Sequence, residues 1–227
     1  VILPGIAYPL IMAAVARSHW DNEGADFRNV QIVHPLFLGG DKTLHAFVTP
    51  SENGEYLFSL RTQVEDLEGE WLVHAEGRLD PQARSQVSGL TLEQARAQCT
   101  DERSADEFTA TIDQTDVEWG PGWRWAKSMT IGESSGLLEI ETPQGAATDG
   151  PLHPIMFDNG IGFSQSLPVL CGAIAADHGV LQLPFSFETI RWRGLPTQTV
   201  WCHARVVEAN LESSRCELRY WDSDGNV

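Results

Sequence analysis

Positive charge is what this chain has least of. Only 15 Lys and Arg stand against 32 Asp and Glu in 227 residues, a formal net charge of −17 at pH 7. The few cations form no stripe, and a phosphate backbone needs clustered cations, so a nucleic-acid partner is excluded. Cysteine is scarce too: Cys99, Cys171, Cys202 and Cys216 show no C-x-x-C spacing and no second pair with a histidine at ligand distance. That argues against a metal or disulfide framework, and the four are read as reduced, mostly buried thiols of a cytoplasmic protein. No apolar run approaches the roughly 20 residues a membrane helix needs. What remains is ordinary globular composition, 42% hydrophobic and 21% charged, long enough for one sizeable core or two small fused ones.

The pattern along the chain divides it. Pro4-Gly5 opens an almost wholly apolar stretch, Ile6 to Arg17, which reads as a helix buried on nearly all sides. Strand-like runs follow at Val30–Val33, Thr43–Val48, Tyr56–Thr62 and Trp71–Arg78, and the turn pairs Asn53-Gly54 and Glu68-Gly69 predict antiparallel neighbours. Residues 80–117 are richer in Ser, Gln and Ala and carry two short helical patterns, Thr91–Arg96 and Ser104–Phe108, the second with capping-box spacing between Ser104 and Glu107. This segment is read as a connector across the surface. The plan then repeats: strands near 123–131 and 136–141, a helix from Pro154 to about Ala176, and strands near 180–190, 200–206 and 216–220. Two helix-wrapped antiparallel sheets in one chain give an α+β, double hot-dog expectation, with a first half at 1–79, a linker at 80–117 and a second half at 118–227.

One carboxylate stands out. Leu152-His153-Pro154-Ile155-Met156-Phe157-Asp158-Asn159-Gly160-Ile161-Gly162-Phe163 places Asp158 just past the first turn of a helix that Pro154 is suited to open. With Ile155, Met156, Ile161 and Phe163 around it, the carboxyl is expected to face a dry space. Desolvation then favours its protonated, proton-donating form, and the opposing helix dipole fades beyond the first turn. The bland alternative is a surface Asp on an amphipathic helix.

Four segments carry a resemblance: Leu3-Pro4-Gly5-Ile6-Ala7-Tyr8, Trp119-Gly120-Pro121-Gly122-Trp123, His153-Pro154-Ile155-Met156-Phe157-Asp158 and Leu183-Pro184-Phe185-Ser186-Phe187. In this order they resemble the dehydratase domains of modular polyketide synthases. The first is similar to the end of that family's H-x-x-x-G-x-x-x-x-P signature with its P-G-x-x-Y helix start, and the others to its Y-G-P-x-F, H-P-x-x-x-D and L-P-F-S-W segments. The resemblance implies a double hot-dog fold and loss of water from a β-hydroxyacyl thioester. It makes Asp158 the general acid and places the histidine base upstream of Val1. It implies a narrow apolar tunnel between the halves, with Leu3, Pro4, Tyr8, Trp119, Gly120, Pro121, His153, Met156, Phe157 and Gly162 as substrate-binding residues. No metal or organic cofactor is implied, because the substrate arrives on the phosphopantetheine of an acyl carrier protein. The implied partners are that carrier and neighbouring synthase domains, with no nucleic acid or membrane and a homodimer left open.

His19, His34, His45, His74, His178 and His203 fall outside the family signature and are read as structural or solvent-exposed. Trp119 and Gly162 are the departures from the pattern that bear on the site. Trp119 stands where the family has a Tyr, so a hydroxyl donor is exchanged for an apolar wall. Gly162 stands where it commonly has Gln or His four residues after the Asp, which removes a polar partner and leaves space; Asn159 or Gln165 are the candidates to substitute. Both departures suit a variant that shifts a double bond or closes a pyran ring after dehydration. Outside catalysis, the alternatives are a non-catalytic dehydratase-like module and a carbohydrate-binding β domain built on the eight Trp. The apolar first helix argues against the latter, since a plain sandwich has no place for one.

Overall fold

The computed structural model describes all residues except 23, 52–53, 65–68, 83–88, 114–118, 145–153, 176–182, 194–198 and 227. The chain forms two compact units, one of residues 1–87 with 183–194, the other of 88–182 with 195–227.

In the first unit, helix α1 (Ala7–Trp20) is followed by strands β1 (Ala25–Ile32), β2 (His45–Pro50), β3 (Tyr56–Gln63) and β4 (Trp71–Asp80). Asp21 ends α1 in the left-handed conformation, φ 51°, with its N–H donated to the Arg17 carbonyl. The helix buries Tyr8, Met12, Ala13 and Ala16 against Phe27, Val30, Phe58, Leu60 and Leu79 of the strands. Each large apolar side chain taken wholly out of water contributes roughly 1.5–3 kcal/mol, so this cluster is what fixes the helix on the sheet. Burial is one-sided, however: Ala14, Arg17, Ser18 and His19 stay exposed.

The strand order of this sheet is β2-β3-β4-β1-β8, all antiparallel, and β8 (Ser186–Trp192) comes from late in the sequence. The expected second half, 118–227, therefore does not keep this strand, since residues 183–194 belong to the first unit. Ala25 pairs with Trp192 and Phe27 with Ile190, and Phe187, Ile190 and Trp192 pack on the first core. The free edge of β1 is satisfied by a strand that its own half of the sequence does not supply.

The second unit holds helix α2 (Leu92–Gln98), strand β5 (Asp101–Arg103), helix α3 (Ala105–Asp113), a 3-10 turn at Pro121–Trp123, strands β6 (Ala126–Ile131) and β7 (Ser135–Glu141), helix α4 (Pro154–Leu170), and strands β9 (Thr199–Ala209) and β10 (Ser214–Asp222). Its sheet runs β10-β9-β7-β6-β5, also antiparallel. Residues 92–113 are therefore more than a surface connector. β5 is an edge strand paired with β6, and α3 buries Phe108 and Ile112, with the Phe108 ring 5.8 Å from those of Trp123 and Phe163.

Helix α4 begins at Pro154, as its fixed φ favours, but ends at Leu170, short of Ala176. Gly172 takes φ +71°, and the N–H groups of Cys171, Gly172 and Ala173 close back onto Leu167, Val169 and Pro168. A left-handed glycine of this kind ends helices. Among the described residues no helix is long and apolar enough to cross a membrane.

Candidate active site

Asp158 sits on α4 with 5% of its surface exposed. Its neighbours on the helix, Met156, Phe157, Asn159, Gly160, Ile161, Gly162 and Phe163, are all buried. Burial pushes its pKa up from 3.8 to about 6, against the opposing pull of one hydrogen bond. That bond comes from the Trp123 indole, whose Nε1–H donates to Asp158 Oδ2 at 2.6 Å. Trp123 is the one donor to this carboxyl among the described residues.

The segment carrying Trp123 is anchored by Asn159. This fully buried amide donates from Nδ2 to the carbonyls of Trp123 (2.7 Å) and Ile155 (2.9 Å), and its Oδ1 accepts the Trp125 N–H at 3.3 Å. Asn159 therefore does not bond to the carboxyl. It fixes the backbone on both sides of Arg124, from which the indole reaches Asp158. Gly162 does not leave an open space either. A Cβ there would stand 3.0 Å from Cη2 and Cζ2 of Trp123 and 2.9 Å from Ile112 Cδ1, so the indole and Ile112 already occupy the volume.

On the strand side of α4, the Tyr220 hydroxyl donates to the Phe157 carbonyl at 3.1 Å, and the two rings meet at 5.0 Å. Burial raises the Tyr220 pKa well above its ordinary value, with Cys202 and Asp158 adding to the effect. Burial likewise pushes the Cys202 thiol up to about 12. Both groups are neutral wherever Asp158 titrates.

Met156, Phe157, Asp158 and Gly162 thus share α4, and Trp119, Gly120 and Pro121 lead into the turn that delivers Trp123. The Trp119 ring lies 4.5 Å from that of Trp123, and its buried Nε1–H has no hydrogen-bond partner among the described residues. Gly120 precedes the turn with open space beside it, and Pro121 occupies its first position. Leu3, Pro4 and Tyr8 belong to the first unit, at the entry to α1. There the Leu3 N–H donates to the Leu36 carbonyl at 2.9 Å, the Pro4 carbonyl accepts the Ala7 N–H, and the buried Tyr8 hydroxyl accepts the Leu36 N–H at 3.0 Å. His153 lies outside the described residues, as does His178.

The remaining buried histidines have structural surroundings. His74 lies between Thr62 Oγ1 (2.9 Å from Nε2) and the His34 carbonyl (3.1 Å from Nδ1), and burial lowers its pKa. His203, packed edge-on to Trp221, is pushed down to about 4 by burial and by Arg205 and Arg219. The four cysteines are free thiols, Cys99 and Cys202 buried and the other two half-buried. Among the described residues, no group of His, Cys, Asp and Glu is placed to hold a metal ion.

Trp123 is the contact of Asp158 to which the sequence pattern assigns no role. The sequence shows a Trp where the motif has Phe and a Gly where a polar partner for the Asp is expected, but neither singles out Trp123 as that partner.

Residues 88–227 match the sequence profile described as the polyketide synthase dehydratase N-terminal domain. The whole chain aligns at 22% identity with two Bacillus subtilis (strain 168) proteins, polyketide synthases PksM and PksN, of which it spans 6% and 4% of the length. Among solved structures, it is similar to the dehydratase domain from the CurJ module of Curacin polyketide synthase, with a TM-score of 0.84 and 18% identity over 99% of this chain and 78% of that one. It is also similar to a trans-AT polyketide synthase dehydratase domain from Brevibacillus brevis, with a TM-score of 0.82 and 22% identity over 99% and 81%. These likenesses make the fold a double hot-dog.

Proposed function

Because the chain belongs to the polyketide synthase dehydratase family, we propose that it removes water from a β-hydroxyacyl thioester, with Asp158 as general acid and a histidine preceding Val1 as base. The base takes the proton α to the thioester carbonyl, the carbon–oxygen bond at the β position breaks, and the departing hydroxyl leaves as water with the Asp158 proton. The product is the α,β-unsaturated thioester. Asp158 is left as carboxylate and the histidine as imidazolium until proton exchange resets both. The observation that carries this reading is the buried Asp158 carboxyl, which holds its proton to about pH 6. Hydroxide is a poor leaving group, and an acid poised near neutrality is what its departure requires.

The reaction needs only two proton-handling groups, so it is assigned no metal or organic cofactor. The substrate is carried on the phosphopantetheine of an acyl carrier protein, and neighbouring synthase domains supply and remove it. Trp119, Met156 and Phe157 are assigned to the substrate wall.

Asp158→Asn preserves volume and removes the transferable proton. Supplied with a carrier-bound β-hydroxyacyl thioester, this variant is expected to lose water-forming turnover by at least about 10²-fold, the usual worth of a positioned acid, with its circular dichroism unchanged. Near-native turnover would overturn the role. Unsaturated and hydroxy-enoyl thioesters run in parallel separate dehydration from double-bond shift and ring closure.

A further inference from the structure

Resting on the reading of Asp158 as acid, we propose that Trp123 is its positioning residue. The indole N–H fixes Oδ2, leaving Oδ1 as the oxygen that carries and gives up the proton, and Gly162 is the socket that lets the indole in. Three separate observations meet here. The Nε1–Oδ2 distance is 2.6 Å, short for a donor to a carboxyl. The Trp123 carbonyl and the Trp125 N–H are both held by the fully buried Asn159, one residue along α4 from the acid. Any side chain at Gly162 would press on Cη2 and Cζ2 of the same indole, so the glycine and the tryptophan act as one unit.

The chemical consequence has a definite sign. A hydrogen bond to the carboxylate stabilises what Asp158 becomes when it donates, so it makes the acid stronger and offsets part of the upward push from burial. Removing it leaves a more tightly held proton and slower donation. Among the described residues, the titratable side chain facing Asp158 is Tyr220 of β10, with Cys202 of β9 behind it against Gly160 and Tyr220, and both are neutral through the range concerned. From α3, Phe108 and Ile112 pack apolar groups against α4 and Trp123.

The test is spectroscopic and needs no turnover. With the tryptophans of this chain labelled with ¹⁵N, the Trp123 indole N–H resonance, assigned by its loss in Trp123→Phe, should move with pH at the midpoint of Asp158, near 6, and should stop moving in Asp158→Asn. Trp123→Phe should raise the Asp158 midpoint, followed by its ¹³C carboxyl resonance, by about one unit, a tenfold change in proton affinity. Gly162→Ala should shift it the same way by pushing the indole off. An indole resonance flat from pH 4 to 8, or an Asp158 midpoint unmoved by Trp123→Phe, overturns the proposal and leaves the dehydratase reading standing. If both resonances respond while the alkaline limb of water-forming turnover in the full-length protein ignores Trp123→Phe, the positioning holds and Asp158 is not the acid.

Discussion

Asp158 keeps its proton in the folded chain at pH values where the unfolded chain has released it, because burial lifts the pKa from 3.8 to about 6. The folded state therefore binds the extra proton between these values. The stability this confers is fully present below pH 3.8 and is lost as pH rises through 6. Above that point an ionised carboxyl in a dry site costs the fold about 3 kcal/mol, two pKa units at 1.36 kcal/mol each. Asp158→Asn carries no charge at any pH, and its side-chain oxygen can still accept the Trp123 N–H. In urea unfolding it should match the parent at pH 4 and exceed it by up to that amount at pH 8. His74 and His203, whose lowered pKa values also tilt the stability curve, cancel in the difference between the two proteins. Equal unfolding midpoints at pH 8 would mean that the carboxyl is solvated. Such a gain on deleting the acid is the usual mark of a site that trades stability for chemistry. The residue itself was legible because a carboxylate among apolar neighbours is conspicuous in any sequence. Its partner was not, since only the folded backbone shows which of eight tryptophans arrives at 2.6 Å.

Within α4, two opposing local effects decide what a small change does. At Gly160, alanine would gain about 1 kcal/mol of helix propensity. Its Cβ would collide with the Tyr220 hydroxyl and the Cys202 sulfur, and overpacking of this kind costs roughly 1–3 kcal/mol. Displacing Tyr220 also forfeits its bond to the Phe157 carbonyl, worth about 1 kcal/mol. Packing wins, and Gly160→Ala should lower the melting temperature by several degrees, about 2–4 °C for each net kcal/mol at this chain length. Gly122→Ala, where a Cβ meets open space, should leave it within a degree or two. An unchanged melting temperature for Gly160→Ala would mean that α4 can lift away from β9 and β10. Such close approaches are what a sequence shows least. Alternation revealed most strands and the prolines revealed where α4 begins, but β5 is three polar residues on a sheet edge, with no pattern to separate it from a loop. The reciprocal capping box also sits elsewhere, at Thr91 and Gln94. At Ser104 the hydroxyl serves Asp106 instead, while Glu107 reaches back to the Ser104 N–H at 3.4 Å.

Across the whole molecule, local pattern supplied the elements and the architectural repeat but not the exchange that joins them. By its position in the chain, the segment Leu183-Pro184-Phe185-Ser186-Phe187 falls in the half containing α4. Proximity along the chain carries no information about which strand edge is unpaired, and β1 was left with one after pairing with β4. β8 fills that edge over six residue pairs, from Ala25↔Trp192 to Gln31↔Ser186. Pro184 accompanies it, close enough to Gly5 that a side chain there would strike the proline ring. Chain from beyond α4 therefore stabilises the first unit. Ile190→Pro tests this: it lies opposite Phe27 and packs on the first core, and proline there removes backbone hydrogen bonding and strains the ladder, at a cost of about 3 kcal/mol or more. Hydrogen exchange should show amides of β1 losing protection by about 10²-fold, the equivalent of that free energy, while those of β9 and β10, in the other sheet, keep theirs. If exchange instead rises in β9 and β10 and β1 is unaffected, β8 stabilises the second sheet, and the sequence-based placement of 183–192 with α4 is restored.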